Sequence, residues 1–404
     1  MLLGVFVDYQ SHKKYIPQHF RPRPLARSKK KSPLPLRPSR AEINLSAISH
    51  NLAGIRTKVG SQTKILAVVK ANAYGHGDVA VSRFIEKKHA DYFGVAIVEE
   101  GITLRTAGIS KPILVFTLPV RNQIAPLFDF DLEPTICSIE DARLIERMAE
   151  RRKQTIGVHL KIDTGMNRIG IKPGILKTFL EAIAPMRRIE IISAYTHFAT
   201  AEERDKTFTL QQFELFQQSL ETARRLGVEP ELTHCANSSA ILDLPQTYCS
   251  MVRPGLAMYG YYPSLANSRS IILKPALSVT TNVSLVKSIE ASESVSYGRR
   301  FVAPKRTNIA TLPVGYGDGY SRLLGGKSDV LIHGVRYPVV GTICMDMLMV
   351  DVGDADVAVG DKVTIVGKEN DQEITCWDLA NRIGTIPYEV LCGFSARIPR
   401  TYVK

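Results

Sequence analysis

The chain has 404 residues, 45% of them hydrophobic and 23% charged, enough for two domains with the balance of an ordinary soluble globular protein. No apolar run approaches the roughly 20 residues of a membrane span, and the opening MLLGVFV reaches Asp8 with no basic cluster before it, which argues against a secretory leader. The formal charge of +13 suggests a nucleic-acid partner until it is located: residues 1–40 carry ten Lys or Arg against the single acid Asp8, leaving only +4 for the rest.

Residues 1–39 hold the proline-rich stretches RPRPL and SPLPLRPS and no sustained apolar period, so they read as a basic, disordered tail. A transit peptide or an electrostatic anchor for nucleic acid or anionic lipid are the sharper alternatives. Few serines and no amphipathic helix weigh against the first, and a solvated extension is the preferred reading. The six cysteines (Cys137, Cys235, Cys249, Cys344, Cys376, Cys392) form no CxxC pair and sit in apolar stretches, which fits buried thiols in a reducing compartment and no metal site.

From residue 40 the texture changes. AEINL alternates as a strand, and Ser46 is expected to cap a helix burying Ile48, Leu52 and Ile55 at i, i+4, i+7 spacing. Eight short apolar strands follow at 64–70, 92–98, 112–117, 132–137, 156–163, 190–198, 231–237 and 248–255, joined by helices such as 140–153 and 207–226. That pattern predicts an eight-stranded parallel α/β barrel of the TIM type over residues 40–270, with the first strand free to pair elsewhere. After about residue 270 alternating strands and turn residues predict a mainly antiparallel β domain over 271–404, with one helix near TCWDLANRI.

In such barrels chemistry sits at the carboxyl ends of the strands. Lys70 ends the first barrel strand, Lys161 and Asp163 the fifth, and His197 the sixth; Asn237 and Ser238 follow the seventh, and Arg253 and Gly255 close the eighth. Each alone has a bland explanation, a solvated lysine or a packed histidine. Together with the glycine- and hydroxyl-bearing loops ANSSA and RPGLA after the last two strands, they point to a phosphorylated ligand, and a lysine facing it suits pyridoxal 5'-phosphate held as a Schiff base.

Nine motifs in order, AVVKANAYGHG, KIDTGMNRIG, THFATAEE, HCANSSA, MVRPGLAMYG, SVSYGRRF, PVGYGDGY, GTICMDM and YEVLCGFSARIPR, resemble the fold-type III alanine racemases over residues 40–404. The resemblance implies a cytoplasmic homodimer that interconverts L- and D-alanine and supplies D-alanine for peptidoglycan. It gives Lys70 and Tyr297 the roles of two bases, one for each face of the α-carbon, with Tyr297 and Met345 arriving from the partner subunit. Arg253 is implied at the pyridine nitrogen, where an arginine only donates, and His197 between Arg253 and Tyr297. Tyr74, Asn237, Ser238, Gly255 and Leu256 are implied at the phosphate. Arg168 and the Met345 amide are implied at the substrate carboxylate, Lys161 as a candidate for carbamylation, and Tyr316, Arg322 and Glu202 along the access channel. Three departures are expected to matter: Ala396 where many relatives carry a pocket-narrowing tyrosine, and, at the entrance, Glu202 where an aspartate is common and Thr342 where an arginine is frequent. Ala396 suggests a broader, serine-accepting racemase as the alternative unless Phe394 or Tyr261 refills the space; a noncatalytic pyridoxal-phosphate carrier is more remote.

Overall fold

The computed structural model describes residues 36–404, so the expected basic tail lies outside the described residues except for its last four positions. Arg37 and Ser39, which the sequence assigned to the tail, already contact the β domain. The Arg37 guanidinium forks across both oxygens of Asp318 at 2.5 and 2.9 Å, and the fully buried Ser39 bonds Thr281 at 2.8 Å. A carboxylate without solvent exposure needs such a partner, which ties Arg37 to Asp318.

Strand β1 (Arg40–Asn44) buries Ala41 and Ile43 and pairs antiparallel with β10 (Leu277–Asn282) and parallel with β20 (Arg400–Val403), so the chain opens inside the β domain. Helix α1 (Leu45–Val59) follows directly. Its cap is Asn44 and not the expected Ser46: the Asn44 carboxamide oxygen accepts from the Ala47 amide at 2.9 Å, because Asn44 is the last extended residue and Ser46 is already helical. Ile48, Leu52 and Ile55 are fully buried, as the spacing requires.

The eight predicted strands are all present: β2 (Lys64–Val68), β3 (Tyr92–Val95), β4 (Ile113–Val115), β5 (Glu133–Ile136), β6 (Ile156–Lys161), β7 (Ile189–Tyr195), β8 (Leu232–His234) and β9 (Met251–Val252). They pair in parallel in the order β8-β7-β6-β5-β4-β3-β2-β9, and short bonds from Ser250 N to Thr233 O (3.1 Å) and from Arg253 N to Ala236 O (2.9 Å) tie β8 to β9. The result is a nearly closed barrel. Helices α2 (Lys70–Tyr74), α3 (Asp78–Ile85), α4 (Val98–Thr106), α5 (Ile124–Asp129), α6 (Ile139–Arg152), α7 (Pro173–Ile183), α8 (Thr207–Arg225) and α9 (Ser238–Asp243) connect the strands. Parallel strands need such crossovers, and the strands read as continuous apolar runs because both faces are covered.

Beyond the barrel, β11 (Leu285–Ile289), β14 (Thr307–Leu312), β15 (Asp329–Ile332), β16 (Val335–Val340), β17 (Leu348–Gly353) and β18 (Lys362–Glu369) continue the sheet of β10, β1 and β20 in the order β11-β14-β17-β16-β15-β18-β10-β1-β20. Every pair in it except β1–β20 is antiparallel. The ribbon β12 (Ser294–Val295) with β13 (Phe301–Val302) and the short β19 (Gln372–Ile374) flank it. The expected helix is α10 (Cys376–Ile383), capped by Thr375. A second helix, α11 (Pro387–Gly393), was hidden by the Gly384 and Pro387 punctuation around it, which here ends one helix and begins the next.

Candidate active site

Lys70 stands where β2 leaves the barrel, at the head of an unusual turn. Ala71, Asn72, Ala73 and Tyr74 all have φ between +52° and +54°, a left-handed turn built without glycine. Such a conformation costs an L-residue about 1–2 kcal/mol, so its surroundings must impose it. Ala73 N donates to Val69 O at 2.8 Å and Gly75 N to Ala71 O at 3.0 Å. The Glu100 carboxylate takes the Ala71 amide on one oxygen and the Ala96 amide on the other, each at 2.7 Å. His76, fully buried and stacked on Tyr259 at 4.4 Å, donates from Nδ1 to the Ala73 and Tyr74 carbonyls.

Tyr74 ends the turn beside Gly255, where a Cβ would lie 2.6 Å from the Tyr74 Oη. Ser238 Oγ accepts from the Gly255 and Ala257 amides at 3.0 and 3.2 Å, which leaves its proton to donate outward. Asn237 caps α9 through the Ala240 amide at 3.1 Å, and Leu256 opens a short 3₁₀ turn. Hydroxyls, amides and a glycine that admits no side chain form a cradle suited to a phosphate.

Arg253, buried, anchors the far side. Nη1 donates to His234 Nδ1 at 2.8 Å, and Nη2 to Thr196 O at 2.8 Å and to His197 Nδ1 at 3.1 Å. Because a guanidinium only donates, every proton in the chain behind it is assigned. His234 must carry its hydrogen on Nε2 and give it to Ser193 Oγ (3.1 Å), Ser193 to His159 Nδ1 (2.5 Å), and His159 Nε2 to the Glu133 carboxylate (2.8 Å). His197 likewise keeps its hydrogen on Nε2. The Arg253 Nε donates to nothing among the described residues and remains available to a ring nitrogen.

The charges are lopsided. Lys161 is buried, with its ammonium 4.3 Å from the centre of the Tyr195 ring and no carboxylate in ion-pair range among the described residues. Asp163 does not pair with it: that carboxylate goes to Lys172 at 2.8 Å and to the Asn167 and Gly165 amides, which keep it ionised against the cost of burial. Burial, then the neighbouring Arg253 and Arg168, pushes the Lys161 amine well below its usual range, and burial with Arg168 lowers Lys70. Burial and Arg253 do the same to His197. A site in which two arginines stand close enough to depress two buried lysines suits an anionic ligand.

Sequence reasoning missed Tyr388. It lies on α11 with its ring 5.9 Å from that of Tyr74, so an aromatic residue does stand against the cradle. Ala396, to which the missing tyrosine had been assigned, is exposed in the turn after α11. Phe394 and Tyr261, the two side chains expected as candidates to refill the space, are both buried. Tyr388 stands in the quoted YEVLCG, and only an aromatic count near the chain end could have flagged it. His234 was also overlooked, although strand alternation puts it on one face with Leu232.

The remaining candidates are elsewhere on the chain. Tyr297 is 72% exposed and Met345 53% exposed; Tyr316 N donates to Cys344 O at 3.0 Å, which joins those two loops. Tyr297 is held by Thr342, whose hydroxyl donates to the Tyr297 carbonyl at 2.8 Å while Ser296 Oγ donates back to the Thr342 carbonyl at 2.5 Å. Arg322 opens another 3₁₀ turn, and burial, then the charge of Glu202, raises the Tyr388 phenol. Within one chain no hydrogen bond joins Tyr297 to His197 among the described residues.

Comparison with known proteins agrees with this geometry. The family described as alanine racemase, N-terminal domain, matches residues 43–263, and that described as alanine racemase, C-terminal domain, matches 276–402. An alanine racemase of Methanococcus maripaludis is 43% identical over 368 residues, 90% of this chain and 98% of that one. The crystal structure of alanine racemase from Bacillus anthracis with bound L-Ala-P superposes with a TM-score of 0.87 at 34% identity, covering 91% of this chain and 95% of that one. A histidine racemase from Leuconostoc mesenteroides subsp. sake superposes at 0.84 with 29% identity over 92% and 99% of the two chains. With both family domains matched in order and relatives aligned over nearly their whole length, the chain belongs to the alanine racemase family and is an enzyme of that family.

Proposed function

We propose that the chain interconverts L- and D-alanine with pyridoxal 5'-phosphate and two bases, Lys70 and Tyr297 of the partner subunit. The observation that carries this reading is the cradle of Tyr74, Ser238 and Gly255 set beside an amine of lowered basicity, Lys70, and a guanidinium with a free Nε, Arg253. Residues of this kind fit the cofactor: Lys70 holds its aldehyde carbon, the cradle with Asn237 and Leu256 holds its phosphate, and Arg253 meets its ring nitrogen. When bound, the cofactor draws electrons from the α-carbon and makes its hydrogen acidic.

Lys70 Nζ takes or returns the proton on one face, helped by its lowered proton affinity. The partner's Tyr297 does so on the other face. His197 offers it an Nε2 hydrogen, which favours the phenolate, because Arg253 occupies Nδ1. Arg168 and the amide of Met345 of the partner subunit hold the substrate carboxylate. Lys161 is carbamylated in this proposal: a buried ammonium with no carboxylate partner is costly, and a carbamate would face Arg168 as an anion. Tyr316, Arg322 and Glu202 line the access channel. A homodimer follows from the exposure of Tyr297 and Met345, since neither has work to do on its own barrel.

No described helix is long and apolar enough to cross a membrane, and no group of three metal-binding side chains occurs among the described residues. A cytoplasmic enzyme supplying D-alanine for peptidoglycan completes the proposal, with no nucleic-acid partner. The serine-accepting alternative rests on Ala396, whereas Tyr388 standing against Tyr74 favours the smaller substrate. The test is α-proton exchange in deuterium oxide with circular dichroism to follow inversion, for L-alanine and L-serine. Exchange with inversion favouring alanine is expected; faster serine turnover would overturn the alanine assignment, and bound cofactor without exchange would leave a carrier.

A further inference from the structure

The racemisation chemistry makes no use of the two thiols at the barrel seam. Strands β8 and β9 are joined there by single backbone bonds and not by a ladder. Just past them Cys235 and Cys249 face one another with their sulfurs 3.7 Å apart, the only cysteine pair in contact among the described residues. A disulfide needs about 2.0 Å between sulfurs, so the two sulfurs, already in contact, have to close by about 1.7 Å to bond. The thiols differ in access. Cys235 is fully buried, with Sγ donating to Thr247 O at 3.0 Å, whereas Cys249 is only half-buried. They differ in acidity too: the neighbouring Cys235 lowers the Cys249 thiol, and burial raises the Cys235 thiol. An accessible, more acidic thiol beside a buried neutral one is the arrangement of an attacked and a resolving cysteine.

We propose that Cys235 and Cys249 form a reversible redox pair that staples the seam of the barrel. Hydrogen peroxide is the oxidant. Its O–O bond breaks as Cys249 Sγ takes one oxygen, giving a sulfenic acid and one water. Cys235 Sγ then attacks the Cys249 sulfur; the S–S bond forms, the S–O bond breaks, and the hydroxyl leaves with the Cys235 proton as a second water. Two thiols and one peroxide become one disulfide and two waters. The closed segment 235–249 carries Asn237 and Ser238, and the Cys235 carbonyl accepts from Arg253 Nη2 at 3.2 Å, so the staple restrains the side of the site that holds the phosphate cradle. This inference goes beyond the proposed racemisation and is read without an activity assay.

The test treats the full chain with hydrogen peroxide near equimolar amounts, blocks free thiols with iodoacetamide and digests with trypsin. Trypsin spares Arg253–Pro254 and releases residues 226–269 with both cysteines and no other. The expected product is that peptide about 2 Da lighter than its reduced form, unalkylated, and restored to two alkylations by dithiothreitol. The oxidised protein should unfold at a higher temperature than the reduced one, and Cys235→Ser should instead trap a dimedone-reactive sulfenic acid at Cys249. A peptide that keeps two alkylations, or one in which Cys249 carries sulfinic acid while Cys235 still alkylates, overturns the proposal. So does a cross-link that maps to Cys392 in its place.

Discussion

The two candidate bases live in opposite settings. Lys70 is set into the barrel by a strained turn, a carboxylate brace and depressed proton affinity, all supplied within one chain. Tyr297 projects from the β domain with 72% of its surface exposed, and the nearest help it receives is a hydrogen bond to its own backbone carbonyl. The contrast teaches where each half of the chemistry is prepared. The barrel tunes its candidate base within one chain; the β domain only aims its candidate outward, and in the proposed dimer the tuning would fall to His197, whose tautomer Arg253 has already fixed.

The sharpest way to break this comparison is to separate the two bases genetically. Lys70→Ala and Tyr297→Phe should each abolish racemisation when pure. If each site combines Lys70 from one subunit with Tyr297 from the other, equal mixing after subunit exchange gives hybrids with one doubly altered and one intact site. Activity should then return to roughly a quarter of wild type. Chiral chromatography of the product measures it, and no recovery in hybrids confirmed by mass would place both bases on one chain.

Acid should find the barrel first. Burial pushes His76 down to about 4, despite the carbonyls it serves, and holds His197 and His234 well below their usual value. The unfolded chain binds these protons near pH 6.5, the folded one only at lower pH. Stability is therefore complete above about pH 6.5 and declines as pH falls toward 4, by about 3 kcal/mol for His76 alone. All three histidines belong to the barrel. Hydrogen exchange read by peptide between pH 7 and 4.5 should show protection lost there before it is lost in β14 to β18; a reversed order would mean that the neutral histidines do not govern acid stability.

Much of this arrangement was legible in the letters. Eight apolar runs gave the barrel because strands covered on both faces have no polar alternation to confuse them, and strand-end residues gave Lys70, His197 and Arg253 because side chains there have one direction to face. Other features are not written locally. The left-handed turn at 71–74 contains no glycine to announce it, and the carboxylate that accepts its first amide, Glu100, lies 29 residues further along the chain. The proton chain from Arg253 to Glu133 depends on side chains of four strands meeting inside the barrel. Asn44 displaced Ser46 as the α1 cap by a shift of two residues, and Tyr388 went unnoticed because position along a motif does not say which side chain stands against the cradle.

The brace on Lys70 has its own test. Both oxygens of Glu100 accept from backbone amides, and a carboxamide has only one oxygen to offer, so Glu100→Gln loses one charge-assisted bond worth about 1.5–3 kcal/mol. Turnover should fall by tenfold to hundredfold, with faster release of cofactor followed by absorbance and little change in melting temperature. Unaltered cofactor release would show that the turn holds its shape without the carboxylate.

Thr342→Val is the counterpart on the other base, and its effect should be the smallest. The substitution keeps the shape, removes the hydroxyl that fixes the Tyr297 carbonyl, and leaves the Ser296 bond to the Thr342 backbone in place. One neutral hydrogen bond is worth about 0.5–1.5 kcal/mol, so turnover should drop only a few-fold. What distinguishes the variant is its signature. A base that is aimed less well slows proton transfer on one face alone, so the deuterium isotope effect for α-deuterated alanine should rise in one direction of the reaction and stay at the wild-type value in the other. Glu100→Gln should raise it in the opposite direction, because Lys70 serves the opposite face. Equal increases in both directions for either variant would mean that the two halves of the site are tuned together, and the division between a prepared barrel and an outward-aimed tyrosine would not stand.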